Sequence, residues 1–303
     1  MRKLFITLMT MAALSACSKT AFLSKEAQAT FQLNLDTPST KAFSDGSLAT
    51  QLQVLVYSAS KGFLPDLSYV AGSTVPGHGA LPIDGSATVT LKLIKGESYS
   101  LVFWAQTADA PYTINPAEGM MTVNPAGSAN APGRDAFYKL FETGTVSAAI
   151  TESITLKRPL AQINVFTAEA DYAAAVASQV NFTGSSMTLT APSRLNLRTG
   201  AVSTPVTYTF STAAIDVNES TALPGYKYVA MNYVLAGTDG TSDINFGVYK
   251  DTPSVLLGTL NVANVPFKSN YRTNIKGNVF SVEGQFTVTI DPVYQTPDNE
   301  ETL

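Results

Sequence analysis

The sequence predicts an all-β protein with two domains. Charged residues make up only 14% of the 303 residues, and the 20 glycines and 16 prolines are typical of short strands joined by turns. Segments in both halves alternate apolar and polar residues with a period of two, as half-buried strands do. The length suggests roughly two domains, and we place them at residues 30–155 and 156–303.

The first 17 residues have the pattern of a bacterial export signal that ends in a lipid attachment site. Met1–Lys3 carries two positive charges, Leu4–Leu14 is mostly apolar, and two small residues precede Cys17, the only cysteine. The apolar run is shorter than the roughly 20 residues that a membrane-spanning helix needs. We expect residues 1–16 to be removed, Cys17 to be acylated and residues 17–29 to form a flexible tether. An ordinary signal peptide with a chance cysteine is the alternative.

The first strand is predicted over residues 30–36. Three apolar residues there alternate with polar ones and would share one face of the strand: Phe31, Leu33 and Leu35. Residues 37–46 follow with a proline, a glycine and several hydroxyl side chains, and therefore predict an exposed loop with Lys41 at its centre. Exposed loops of this kind are where proteases cut.

Further segments are assigned by the same reasoning. Residues 52–57 and 99–106 are apolar on both faces and predict strands that are covered on both sides. Residues 111–133 predict a long loop with one short strand at 120–123, and residues 168–179 predict a short surface helix. The second half has eight short strands, as expected of a β-sandwich. Three residues of the last strand, at 285–291, repeat the apolar spacing of the first strand: Phe286, Val288 and Ile290.

The composition argues against several classes of function. A net charge of −4 without a basic cluster gives no support for nucleic-acid binding. His78 is the only histidine, so a metal site with two histidine ligands cannot be assembled, no motif around it indicates a catalytic triad, and the scattered carboxylates form no catalytic pair. Trp104 and the tyrosines could stack on sugars, but their period-two spacing favours core positions. We expect no enzymatic activity, metal or cofactor.

The order of these motifs resembles the fimbrillin family, the lipoprotein subunits of the type V pili of Bacteroidales. The similarity spans nearly the whole chain, and five segments carry it besides Cys17: Thr40–Phe43 before the strand Leu52–Tyr57, Tyr99–Gln106, Leu156–Val165, Leu195–Gly200 and Asn270–Asn278. The resemblance implies two tandem transthyretin-like β-sandwiches with at most one or two short helices. It also implies a precursor anchored by lipid in the outer membrane, a processing protease that removes the first strand, and strand exchange with other pilus subunits at the cell surface.

The apolar spacing gives this mechanism a physical basis. If Phe31, Leu33 and Leu35 fill a groove, a cut between Lys41 and Ala42 would allow the first strand to leave it. The last strand of a neighbouring subunit, with Phe286, Val288 and Ile290, could then enter the groove. Alternatively, the last strand stays in its own sheet. The family's protease is typically specific for arginine, whereas this chain has Lys41. Either the protease accepts lysine, or the chain is cut elsewhere or stays uncut as an anchor or accessory subunit. The alternative function is a surface lipoprotein that binds glycans or acts as an adhesin without polymerising.

Overall fold

Strands make up most of the chain that the computed structural model describes, which comprises residues 25–37, 46–180, 182–214, 223–250, 255–280 and 286–291. The strands of the first half are β1 (Glu26–Leu35), β2 (Gln51–Ser58), β3 (Gly62–Phe63), β4 (Leu81–Pro82), β5 (Ser86–Ile94), β6 (Ser98–Gln106), β7 (Tyr112–Asn115), β8 (Met120–Val123), β9 (Ala126–Ser128), β10 (Ala136–Thr145) and β11 (Ile150–Leu156). Those of the second half are β12 (Leu160–Ala168), β13 (Phe182–Asn196), β14 (Val202–Ala213), β15 (Tyr226–Leu235), β16 (Gly240–Lys250), β17 (Val255–Phe267), β18 (Arg272–Gly277) and β19 (Phe286–Asp291). The all-β prediction is confirmed.

Within the described residues, helical structure is limited to one α-helix and two short 3-10 segments. The helix, α1 (Glu169–Ala177), lies inside the segment for which the sequence predicts a surface helix, and none of its residues is buried. The 3-10 segments are Pro65–Leu67 and Pro132–Arg134. In the part of the chain described here, no helix is long and apolar enough to cross a membrane.

Four sheets pack as two sandwiches. Sheet A has the strand order β11-β1-β5, and sheet B has the order β10-β6-β2-β3, with β4 also paired to β2. Sheet C runs β17-β16-β13-β14-β9 and also takes in β7 and β8, while sheet D runs β15-β12-β18-β19. One apolar core lies between sheets A and B, and a second joins sheets C and D to the outer face of sheet B.

The two sandwiches repeat one topology. In the first, β1 pairs in parallel with β11 and antiparallel with β5, and the facing sheet has the order β10-β6-β2. In the second, β12 pairs in parallel with β18 and antiparallel with β15, and the facing sheet has the order β17-β16-β13. Strand β1 therefore corresponds to β12, and both are central strands of their sheets. The second sandwich adds β19 beside β18, as the edge strand of sheet D.

Both faces of sheet B are covered, as the sequence predicts. Val54 and Phe103 belong to the first core, whereas Leu55 and Trp104 on the opposite face belong to the second. The Trp104 ring meets Tyr112 edge-on, with 5.5 Å between centroids, because the β7-β8 hairpin lies over this face. The prediction that this tryptophan is a core residue agrees with its complete burial.

Two expectations on the chain's organisation need correction. Strand β1 begins at Glu26, so four residues assigned to the tether belong to the strand; Ala27 and Ala29 fill its inner face, but alanine gives only a weak apolar signal. The segment 111–133 contains three strands rather than one, because β8 pairs with β13 and β9 with β14. Partners that lie some 70 residues or more away supply the backbone bonds, which local periodicity does not reveal.

The boundary near residue 155 stays a prediction, since β7, β8 and β9 join the second half's sheet.

Buried tyrosines should make the fold sensitive to alkaline pH. Burial raises the pKa of Tyr208 to about 12 and that of Tyr57 to about 12, the latter partly offset by Arg198. An unfolded tyrosine ionises near pH 10, so this stabilisation is complete below pH 10 and is lost as the pH rises towards 12. We expect the free energy of unfolding in urea to fall by about 1 kcal/mol for each phenol at pH 11. The free energy of unfolding of Tyr208→Phe should fall by less at pH 11, because one of these phenols is absent. An equal fall in the variant and in the unsubstituted protein would contradict the assignment of this pH dependence to Tyr208.

Candidate functional site

The first strand, β1, is the centre of sheet A rather than an edge. It pairs with β5 from Glu26 to Asn34 and with β11 from Ala29 to Leu35. Its backbone is therefore bonded on both sides for most of its length. If β1 were withdrawn, a slot would open between two strands, and each of them would present a row of backbone groups without partners.

The inner face of β1 fills an apolar groove. The alternation predicted from the sequence is observed, since five inward-facing residues are at most 6% exposed: Ala27, Ala29, Phe31, Leu33 and Leu35. The Phe31 ring lies between two other rings, at 5.5 Å from Phe103 and 5.4 Å from Phe141 between centroids. The outward residues Gln28, Gln32 and Asn34 are exposed. The side chains of β1 therefore contribute to the core through one face only.

A buried ion pair lies at the carboxyl end of β1. Arg158 and Asp135 are both fully buried, and the Arg158 Nη2 donates to Asp135 Oδ2 at 2.8 Å. The Arg158 Nε also donates to both carboxylate oxygens, at 2.8 Å to Oδ1 and 3.1 Å to Oδ2. The guanidinium lies over the Phe137 ring, 4.4 Å from its centroid. Charge, hydrogen bonding and ring contact together compensate the desolvation of this pair.

The same arginine holds the last residue of the first strand segment. The Arg158 Nη1 donates to the backbone carbonyl of Asp36 at 2.7 Å, and the Asp36 N–H donates to Leu156 O at 2.9 Å. Arg158 follows β11 by two residues and precedes β12 by two, so it lies at the junction of the sandwiches. The end of β1 is thus bonded directly to the segment that joins the two sandwiches.

Asn270 extends this contact into the second sandwich. Its Oδ1 accepts the Arg158 backbone N–H at 3.1 Å, and its Nδ2 donates to Asp36 Oδ2 at 3.1 Å. Because a backbone N–H can only donate, the first bond fixes which amide atom faces Asp36. Asn270 has a positive φ of 64°, a conformation that asparagine tolerates better than most residues. We call Asp36, Asp135, Arg158 and Asn270 the β1 clamp.

The loop for which proteolysis is predicted begins and ends at the clamp. A side chain at Gly46 would meet Phe137 at 2.6 Å, Thr37 at 3.0 Å and Arg158 at 3.2 Å, and its φ of 79° also favours glycine. Thr37 and Gly46, the first and last residues of the predicted loop, therefore lie close together. Lys41, Ala42 and the lipidation residue Cys17 lie outside the described residues.

The candidate donor strand is in its own sheet. Strand β19 begins one residue after the predicted start and pairs antiparallel with β18, with Phe286 opposite Gly277 and Ile290 opposite Thr273. Val288 is half-buried and packs on the second core. Strands β1 and β19 lie in different sheets, so the structure of one chain does not bring the two sets of apolar residues together.

The clamp was missed in the sequence, although signals for it exist. Arg158 lies in the segment Leu156–Val165 that carries the resemblance to fimbrillins, between the exposed Lys157 and a proline. Asp36 ends the first alternating strand and Asn270 opens a segment that carries the resemblance to fimbrillins. What the sequence does not show is that residues 36, 135, 158 and 270 meet.

Other candidate chemistry remains dispersed in the described part of the chain. His78 stacks on Tyr69 at 5.0 Å between centroids, and its Nδ1 is 2.8 Å from the Ser68 carbonyl oxygen. A cavity of about 250 Å³ nearby is lined mainly by Phe63, small residues of the 70–75 loop and Pro116. No group of three or more His, Cys, Asp or Glu side chains that could hold a metal ion occurs among the described residues.

The fold defines an all-β protein built from two β-sandwiches of the same topology. The chain belongs to a family of unknown function, DUF6562, whose model matches residues 20–303. No curated protein matches it.

Several solved structures are similar to this chain. The tip fimbrial protein Mfa3 from Porphyromonas gingivalis, with a C-terminal truncation, is 10% identical with a TM-score of 0.45 over 88% of this chain and 99% of that one. A putative polysaccharide-binding protein from Bacteroides thetaiotaomicron is 10% identical with a TM-score of 0.48, over 87% and 96%. The fimbrial anchor protein Mfa2 from Porphyromonas gingivalis is 10% identical with a TM-score of 0.40, over 87% and 96%.

The clamp predicts that substitution of Arg158 lowers the free energy of unfolding much more than substitution of Arg194. Arg158→Met would leave the Asp135 carboxylate buried without its cation, and we expect the free energy of unfolding to fall by about 3–5 kcal/mol. Arg194→Met is the matched control, because the Arg194 side chain is 43% exposed and its Nη2 lies as far as 4.0 Å from Glu118 Oε2; about 0.5 kcal/mol or less is expected. Chemical denaturation of the chain from Ser18 onward measures both. Equal effects of the two substitutions would show that the buried pair is not a stabilising contact.

Proposed function

We propose that this chain is a structural, non-catalytic subunit of a cell-surface pilus. It is exported as an outer-membrane lipoprotein through Cys17, loses its first strand to a protease that cuts between Lys41 and Ala42, and polymerises by donor-strand exchange to support adhesion. The observation that carries the proposal is the position of β1 at the centre of sheet A, where it is bonded on both sides.

Removal of β1 leaves an empty slot between β5 and β11 that favours binding of a replacement strand. Phe31, Leu33 and Leu35 are buried, and burying such side chains stabilises a protein by about 1.5–3 kcal/mol each. The edges of β5 and β11 would also lose their backbone partners. A donor strand restores both the apolar contacts and the two rows of backbone hydrogen bonds, whereas water restores only the hydrogen bonds.

Proteolysis changes the competition for this slot. In the intact chain β1 is held at a high effective concentration, because it is covalently joined to the sandwich that it completes. After a cut at Lys41 the segment 17–41 is a separate peptide, and once it dissociates dilution opposes its return. A neighbouring subunit can then occupy the slot. The cut therefore acts as the switch from precursor to polymerising subunit.

Strand β19 is the donor that the structure favours. Among the described strands it pairs with β18 alone, so it can leave sheet D without splitting that sheet. Its residues Phe286, Val288 and Ile290 have the spacing of Phe31, Leu33 and Leu35. Donation from β19 of one copy to sheet A of the next joins two different surfaces. Such contacts do not close on themselves and extend into a filament. The order of motifs that resembles fimbrillins supports the same assembly.

Processing at Lys41 is testable with two lysines that flank β1. In cells that carry the processing protease, we expect Lys41→Gln to abolish the 262-residue product that begins at Ala42 (303 minus 41) and to abolish ladders in non-boiled gels. Lys25→Gln should leave both unchanged, because a cut after Lys25 would not detach β1, which begins at Glu26. N-terminal sequencing of surface-sheared protein identifies the product.

Two results would contradict the proposal. Acylated Cys17 at the N-terminus of all sheared protein would show that the first strand is retained. A processed chain that stays monomeric and is retarded in a polysaccharide affinity gel would instead identify the alternative, a surface glycan-binding or adhesin lipoprotein that does not polymerise.

A further inference from the structure

The sequence that contains the first strand and the sequence that ends in β19 match over ten residues, beyond their three apolar positions. Residues 27–36 read AQATFQLNLD and residues 282–291 read VEGQFTVTID. At the positions that align with the inward residues of β1, the second segment is apolar or small, with Gly284 aligned to the fully buried Ala29. At the positions that align with the outward residues of β1, the second segment is polar. Each segment ends in an aspartate, Asp36 in the first and Asp291 in the second.

The described structure shows what the final aspartate does in the first strand. Asp36 accepts from Arg158 Nη1 through its carbonyl oxygen and from Asn270 Nδ2 through its carboxylate. Its own N–H donates to Leu156 O. Asp36, the residue after β1, is thus held by both a side-chain cation and a side-chain amide. The clamp therefore marks one register of the strand in the slot.

We propose that Asp291 of a neighbouring copy takes the place of Asp36, and that Arg158 and Asn270 thereby fix the register of the incoming strand. The inference rests on the proposed function and adds the residues that align donor and acceptor. The donor then runs parallel to β11, as β1 does. Pro292, which follows Asp291, is compatible with this register, because the Thr37 N–H at the corresponding position bonds to Leu35 O within its own strand and not to the groove.

Apolar spacing alone does not select this register. A slip of one residue would turn every apolar side chain outwards, but a slip of two keeps the same face inwards. The Phe31 site between Phe103 and Phe141 disfavours such a slip by shape. The clamp disfavours it by chemistry, because a slip of two places Thr289 or Val293 beside Asn270, and neither side chain supplies the carboxylate that Asp36 supplies.

Disulfide trapping reads the register directly. Gln32 lies opposite Thr88, so in the proposed register Thr287 of the donor lies opposite Thr88 of the acceptor. Paired Cα atoms of antiparallel strands are about 4.5–5.5 Å apart, within disulfide range, and diagonal neighbours are farther. Processing removes the only native cysteine, so Thr88→Cys with Thr287→Cys introduces the only two thiols. Ser86→Cys or Thr90→Cys with Thr287→Cys are matched controls, since all three acceptor positions are exposed and report a slip of two in either direction.

The clamp itself is tested by changing Asp291. We expect Asp291→Ala to reduce cross-linking at position 88 about tenfold or more, because a hydrogen bond to a charged group is lost. Asp239→Ala, at an exposed turn, should have no effect. Thermal melting of the uncut precursors shows whether each variant folds. The double variant Asp36→Asn with Asn270→Asp exchanges the two side chains and keeps one donor and one acceptor in the precursor. After processing it places a carboxylate at position 270 against Asp291 of the donor, so cross-linking should fall. Adding Asp291→Asn should restore the cross-linking.

The outcomes separate the register from the assembly. Cross-linking mainly at position 88, lost in Asp291→Ala and restored by the exchanged pair, supports the inference. Ladders that form normally but cross-link at position 86 or 90, or that are indifferent to Asp291, overturn the register while the pilus proposal stands. Absence of ladders from the processed wild-type chain overturns both.

Discussion

The pairing of β1 with both β5 and β11 is the constraint on which the first sandwich depends. A central strand contributes two backbone ladders and one apolar face, so its loss leaves a defect that only another strand repairs. The equivalent strand of the second sandwich, β12, has no such freedom, because it lies in the middle of the chain. A shared topology thus yields one permanent central strand and one that a single cut makes exchangeable.

The β1 clamp connects this strand with the junction of the two sandwiches. Arg158 bonds to Asp135 of the first half and Asp36 at the end of β1, and its backbone bonds to Asn270 of the second half. A buried ion pair is weak evidence for stability by itself, but its directional bonds can specify register. The charged groups lie where the strand ends, and the apolar side chains supply the bulk of its contacts. The apolar side chains therefore supply the affinity for the strand, and the charged and polar side chains fix its alignment.

Much of the fold could be predicted from the sequence, because alternation locates β1 and β19 and identifies the buried face of β1, and a run that is apolar on both faces locates β6. Pairing could not be predicted in the same way. The parallel contact of Phe31 with Glu152 and the antiparallel contact of Arg194 with Thr122 join segments about 70 to 120 residues apart, and no local pattern encodes them. The apolar residues of the site were found, whereas its polar residues were not, because the clamp exists only once four distant segments meet.

Electron cryomicroscopy of sheared filaments tests the central claim most directly, since side-chain density identifies the strand between β5 and β11. The account predicts residues 286–291 of the adjacent copy in that position, parallel to β11, with the acceptor chain beginning at Ala42. Density for residues 26–35 of the same chain in every subunit would contradict it, because the first strand would then be a permanent part of the sandwich.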